Sequence, residues 1–364
     1  MSDADPAVLD SRGPSRRYLT MVVASLSLIA LSCVAFLVPV PYVTMRPGPA
    51  FDTLGSEFNN EPMFTFDDEA KTYPTTGSLD FTTVSVTRAE TNVSLAEALD
   101  AYFADDTAVV PRSLVYRKGE SATDAKEAGQ AQLTSSKDAS RVAGLRAAGY
   151  TVPELPTIDS VGDDAAAKGK LEAGDQIRTV DGRGTPTAKA VVEAVGRAEP
   201  GDSVTIGYTR DRETKSVEIV TRPDTVNKEL PRIGVTLRTT FDFPIEINNN
   251  VGERVGGPSA GAMFALAIYD RLTPGSLTGG REVAGTGVIT PDGTIVPIGG
   301  IRQKIAGAAR SDAKVFLVPA ANCAEALDGS DHGMRLVKVS ELDDAIDTLE
   351  ALAKNPKASV PTCR

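Results

Sequence analysis

Two side chains in this sequence have the types and surroundings needed to attack an amide bond. Ser259 stands in Gly256-Gly257-Pro258-Ser259-Ala260-Gly261, and Lys304 stands in Gly299-Gly300-Ile301-Arg302-Gln303-Lys304. Each follows a glycine-rich turn that opens an apolar helix. A serine at or next to a helix N-cap sits beside backbone N–H groups that lack an intrahelical acceptor, and such donors can hold an oxyanion. We assign that turn and its donors to Gly257, Pro258 and Ala260. A lysine takes a proton from serine only when its pKa falls toward neutrality, and desolvation beside apolar groups drives it that way. The same placements also suit a serine that merely caps a core helix and a lysine whose stem lies on apolar surface with its amine in water.

The elements around the pair are expected as follows. A helix from 260 to 269 carries no charge on any face, which predicts burial all round. On the second helix Ile301, Ile305, Ala308 and Ala309 share one face, Gln303 and Arg310 point the other way, and Lys304 falls on the border. Between the two lies Ala284-Gly285-Thr286-Gly287-Val288-Ile289-Thr290, read as a strand. Residues 244–247 read as a further strand ending in an Asn248-Asn249-Asn250 turn, residues 314–319 as a buried strand, and 340–354 as a terminal helix. The alternation of elements is α/β.

These motifs resemble the proteolytic domain of Lon-type serine proteases, over about residues 233–352. The family signatures are Gly-Pro-Ser-Ala-Gly and a downstream Gly-Gly-x-x-x-Lys, present here at 257–261 and 299–304, with the Thr286 segment between them. The resemblance implies Ser259 as nucleophile, Lys304 as general base and Thr286 as a supporting hydroxyl, and it implies a homo-oligomer of unfixed number. Where many members carry an acidic residue two places before the proline, this chain has Gly256. Pro47-Gly48-Pro49 followed by a Thr-Val-Ser-Val strand is similar to membrane-anchored, PDZ-containing members of that family.

Residues 151–222 resemble a PDZ domain. They contain a strand at 157–161, small residues at 165–167, the turn Leu171-Glu172-Ala173-Gly174-Asp175-Gln176-Ile177, an Asp181-Gly182 turn, a helix at 187–195 and closing strands at 204–208 and 216–220. The resemblance implies capture of an extended peptide at a sheet edge. No loop for a C-terminal carboxylate is evident before the first strand, where Glu154, Leu155 and Pro156 stand.

Organisation along the chain then reads as a cytoplasmic tail (1–17, with Arg12, Arg16 and Arg17), a transmembrane helix (18–42) and an extracytoplasmic segment packing with the protease (43–150). There follow the PDZ domain (151–222), the Lon-like domain (223–354) and a C-terminal tail (355–364). The span 18–45 has no charged residue, and arginines precede it, which favours a cytoplasmic N-terminus and a catalytic body outside the cell membrane. A cleaved signal peptide is the alternative. In the 43–150 segment Ser94-Leu95-Ala96-Glu97 is a capping box opening a helix to Phe103, and residues 130–149 read as a second helix.

A net charge of −11 argues against a nucleic-acid partner. No P-loop motif is present, so no ATP site is expected. The single His332 makes a Ser-His-Asp triad improbable, and three cysteines exclude a four-cysteine zinc site, so no metal or cofactor is expected. Ser311-x-x-Lys314 has a catalytic spacing only on a helix, and here it runs into a strand. Cys323 and Cys363 are either disulfide-bonded or two free thiols. The reading that results is an ATP-independent serine endopeptidase acting on unfolded or PDZ-presented proteins; the alternative is a catalytically silent membrane scaffold.

Overall fold

The computed structural model describes residues 16–56 and 61–364; the expected tail residues 1–15, Arg12 among them, lie outside the described residues. The described residues open with the helix Arg16–Leu37, whose 22 residues and mean hydropathy of 2.3, with none of them buried, make it long and apolar enough to cross a bilayer. A signal sequence passes the same test. The helix stops at Leu37 rather than reaching 42, because Val38 precedes a proline and is biased away from the α region. Pro39–Val40 is already a strand, paired with Val93–Ser94.

The body is built on a six-stranded mixed sheet. Its order is Arg335–Val339, Val315–Pro319, Glu282–Gly285, Ser78–Val86, Tyr42–Asp52 and Ala108–Pro111. The first four strands are parallel to one another and the last two pair antiparallel. Alternate residues of each strand serve opposite faces. Leu79, Phe81, Val283, Val315 and Leu317 enter one core with the helices Ala122–Ala147, Gly261–Leu272 and Leu342–Lys354. Ala284, Phe316 and Val318 enter the other, under the helix Ile301–Ala309. The segment expected only to pack against the protease therefore supplies three of the six strands. Its long helix begins at a Ser121 capping box, eight residues before the expected start, and Gly144 lets it lie against Ala265 and Ile268, where a Cβ would stand 2.8 Å from the Ala265 carbonyl oxygen.

A second unit is inserted between that long helix and the Ser259 loop. Its sheet runs Glu213–Val220, Ser203–Arg210, Gln176–Val180, Glu154–Val161 and Val235–Phe241, with Arg183–Gly184 paired to Gln176–Val180. The helix Ala188–Val195, capped by Thr187, covers a core that includes Ile158, Ile177, Ile206 and Ile219. Asp181 and Gly182 both have positive φ, as the two-residue hairpin turn requires. The strand Val235–Phe241 pairs with Glu154–Val161 along its whole length, so the sheet of this unit takes in a strand from beyond 222. Alternation marks a strand, but its partner is chosen by non-local pairing, which local pattern does not encode. Likewise Ile247–Asn249 is a strand paired with Phe64–Phe66, not the approach to a turn.

Candidate active site

The glycine-rich turn before Ser259 is held from the side by the long helix. The Gly257 N–H donates to the Gly129 carbonyl at 2.9 Å, the Ser136 hydroxyl to the Pro258 carbonyl at 2.9 Å, and the Gln130 amide to the carbonyls of Glu253 and Val255. Gly257 has φ 87°, open to glycine at little strain. Helix Gly261–Leu272, hereafter the serine helix, starts two residues after Ser259, with Ala260 as its N-cap. Ten of its twelve residues are buried, including Asp270, whose carboxylate accepts the Leu277 N–H.

Helix Ile301–Ala309, the lysine helix, starts from Gly300 in the left-handed conformation, φ 74°. It sits close on the sheet because Gly307 meets the backbone of Gly48, where a Cβ would lie 2.6 Å from the Gly48 carbonyl oxygen. The Pro47-Gly48-Pro49 stretch falls at a register shift between Tyr42–Asp52 and Ser78–Val86, so the strand itself bulges at this contact. Gln303 is buried with most of the helix, contrary to the wheel, because the sheet and the helix Cys323–Leu327 both pack against it; Arg310 remains exposed. Lys304 is only 2% exposed, not at a wet border.

The Lys304 amine has three contacts. Its Nζ lies 2.8 Å from Ser259 Oγ, 3.0 Å from Thr286 Oγ1 and 2.9 Å from the Thr82 carbonyl oxygen. Thr286 Oγ1 in turn donates to the Ser259 carbonyl at 3.0 Å, which also accepts the Gly287 N–H at 2.8 Å. Burial, with no acidic neighbour among the described residues to offset it, pushes the Lys304 pKa down from 10.5 to about 7. The hydrogen-bond arithmetic closes in both protonation states. A neutral amine donates to Thr82 and Thr286 and accepts from the serine hydroxyl; an ammonium donates to all three. Proton transfer from Ser259 thus changes one bond's polarity and moves no heavy atom.

Of the residues assigned to the turn and oxyanion donors, Gly257 spends its N–H on Gly129 and Pro258 has none, which leaves Ala260 and, not foreseen, Ser259 itself. Neither of these two backbone amides has a protein acceptor among the described residues. Thr286 follows the carboxyl end of a central parallel strand, where open α/β sheets place their ligand sites. Thr82, Gly129 and Ser136 were not foreseen. Two act through backbone carbonyls, which leave no trace in residue type, and Ser136 lies 123 positions from Ser259. The Ser311-x-x-Lys314 spacing holds no helix: Asp312 turns at φ 59°. Cys323 and Cys363 are joined in a disulfide that packs in the core beneath the lysine helix.

Two grooves accompany this centre. One, of about 700 Å³, lies between helix Ala188–Val195 and the chain from Pro231 to Leu237, with Val191, Val192 and Val195 as its apolar wall. Gly234 turns there at φ 81°, just before the edge strand. A positive-φ turn thus precedes the edge strand of this unit, which is also the last of its strands in chain order. The other groove, of about 740 Å³, is lined by residues 238–241 of the same strand, by the long helix, by Val288 and Ile289, and by Pro258.

Residues 252–352 match the Lon protease (S16) C-terminal proteolytic domain, and residues 133–221 match the PDZ domain. Lon protease 2 of Syntrophobacter fumaroxidans is 37% identical over 102 residues, 28% of this chain and 13% of that protein. The Lon protease of Azospirillum brasilense is 30% identical over 160 residues, 43% of this chain and 19% of that protein. The PDZ domain of an SdrC-like protein from Listeria monocytogenes is 29% identical and covers 22% of this chain and 85% of that one, with a TM-score of 0.21. The chain thus spans less than a fifth of the length of either Lon relative. The two matched regions show a chain in which a stretch similar to the Lon C-terminal proteolytic domain follows one similar to the PDZ domain.

Proposed function

We propose that this chain is an ATP-independent serine endopeptidase in which Ser259 is the nucleophile and Lys304 the general base. One observation carries the reading: a fully buried amine, with its pKa pushed to about 7, lies 2.8 Å from a half-buried serine hydroxyl. Neutral Nζ accepts the hydroxyl proton as Oγ attacks the substrate carbonyl carbon. The N–H groups of Ser259 and Ala260 supply donors to the developing oxyanion. The ammonium then protonates the departing amine, leaving an ester on Oγ, and Nζ takes a proton from the water that hydrolyses it. Thr286 keeps the amine in line by accepting one of its N–H bonds.

The absence of a P-loop motif from the sequence supports independence from ATP. Substrates are then chains already unfolded, or chains whose C-terminal segments add to the edge strand Val235–Phe241 in the groove beside Ala188–Val195. That strand also borders the groove walled by Pro258, so a peptide lying along it approaches the serine loop. The helix Arg16–Leu37 supports a single-pass anchor, and Arg12, Arg16 and Arg17, ahead of its charge-free run, support a cytoplasmic N-terminus with the body outside.

The test is labelling of the full chain with a serine-reactive fluorophosphonate, together with cleavage of an unfolded protein with and without ATP. Wild type is expected to label and to cleave equally in both conditions, and Ser259→Ala to do neither. Equal labelling of Ser259→Ala refutes the assignment of the nucleophile, a wild type that neither labels nor cleaves leaves the scaffold reading, and a requirement for ATP refutes the independence.

A further inference from the structure

An apolar stripe lies directly beside the point where the chain leaves its N-terminal helix. The short helix Leu95–Phe103 buries Ala98 and Ala101 against the body and turns Glu97 and Asp100 to another side. On its third side Leu95, Leu99, Tyr102 and Phe103 fall within about 100° of one another. They are exposed, Tyr102 and Phe103 by 71% and 78%, and these two rings stack edge to face at 5.4 Å. Exposed large apolar residues grouped on one face call for a partner surface.

The geometry says which surface. Ser94, the N-cap of this helix, pairs with Pro39, only two residues after the end of Arg16–Leu37. Two residues span at most about 7 Å and adjacent strands lie about 5 Å apart, so the stripe begins within roughly 12 Å of the N-terminal helix's end. The two helices also touch. On the other side of the exit, the Arg112 N–H donates to the Pro41 carbonyl, which brings Leu114, 77% exposed, to the same level.

We propose that Leu95, Leu99, Tyr102, Phe103 and Leu114 are inserted in the interfacial layer of the bilayer that Arg16–Leu37 crosses, so that the body is docked on the membrane rather than tethered above it. The proposal rests on the reading of Arg16–Leu37 as a span. Amphipathic helices with aromatic and leucine side chains lie at this depth, and tyrosine suits it because its ring is apolar and its hydroxyl wet. Glu97 and Asp100 give the polar side of this helix a negative charge, so its own attraction comes from apolar burial.

The test uses the full chain in vesicles of phosphatidylcholine with a minor share of phosphatidylglycerol. Cys33 is the free thiol among the described residues, so a nitrobenzoxadiazole label on it reports the span itself. In a Cys33→Ser background the label is placed at Leu99→Cys, at Phe103→Cys and, as a control, at Val226→Cys, which is 91% exposed on the PDZ unit. Shallow doxyl-labelled lipids are expected to remove more than half of the emission at both helix positions and none at Val226→Cys. If Cys33 is quenched by deep doxyl lipids and neither helix position is quenched by shallow ones, the span stands and the docking is overturned. A blue-shifted helix label without lipid quenching also overturns it, in favour of a second copy of the chain. If Cys33 is not quenched either, the span reading fails and the docking falls with it.

Discussion

Replacing Lys304 with methionine, a side chain of similar length without the amine, should make the protein more stable near neutrality while abolishing its activity. The wild-type amine has a folded pKa of about 7 against 10.5 when free. That difference corresponds to about 5 kcal/mol between the two protonation states, at about 1.4 kcal/mol per tenfold. Because the folded value is depressed, the fold opposes the charged form. Below pH 7 both states hold the proton and the full penalty applies. Between pH 7 and 10.5 only the unfolded chain holds it, so wild-type stability climbs with pH, and above that window the penalty is gone. At pH 7 it is still about 4 kcal/mol, and at pH 10 it is below about 1 kcal/mol. Lys304→Met removes it but orphans the Thr82 carbonyl, which costs about 1–3 kcal/mol. The variant is therefore expected to exceed wild type by about 1–3 kcal/mol at pH 7 and to fall below it at pH 10. Urea denaturation followed by circular dichroism in detergent measures both. A variant less stable than wild type at pH 7, or a difference that does not change with pH, would refute the buried-amine argument. The same group predicts that kcat/KM rises with pH through a midpoint of about 7.

Four further outcomes follow from the same contacts. Thr286→Val should lower kcat by roughly ten- to a hundredfold with little change in KM, since the hydroxyl orients the amine and the serine carbonyl, as peptide hydrolysis under saturating substrate would show. Gly307→Ala places a Cβ against the Gly48 carbonyl and should cost about 1–3 kcal/mol while reducing activity further than that loss of fold explains, because it lifts the lysine helix off the sheet. Breaking Cys323–Cys363 opens a closure of 40 residues and should lower stability by about 4 kcal/mol, read as a drop in urea midpoint for the double alanine variant or under reductant. Burial raises the Asp270 pKa to about 6, and one of its carboxylate oxygens has no partner among the described residues. The fold thus opposes its ionised form above pH 6 and not below about pH 4, so Asp270→Asn should gain on the order of 1–2 kcal/mol at pH 8 and nothing at pH 4 in the same denaturation assay.

The local features of this protein were legible in its residues alone. Glycine turns feeding apolar helices placed Ser259 and Lys304 at comparable starts, capping boxes marked Ser94, and a charge-free run of residues marked the N-terminal helix, because each is dictated by neighbours within a turn or two of the chain. What each element pairs with was settled by the folded chain. Residues 42–52 and 78–86 alternate like any strand, yet they complete the proteolytic sheet, while Val235–Phe241, expected in that body, completes the PDZ sheet instead. The same holds at the site. Lys304 owes its depressed pKa to full enclosure, its third contact to the carbonyl of Thr82, 222 positions away, and its closeness to Ser259 to a Gly48–Gly307 approach that brings the helix down on the strand. Desolvation and backbone hydrogen bonding depend on what surrounds an atom from every side, and that surrounding is assembled from segments far apart in the chain.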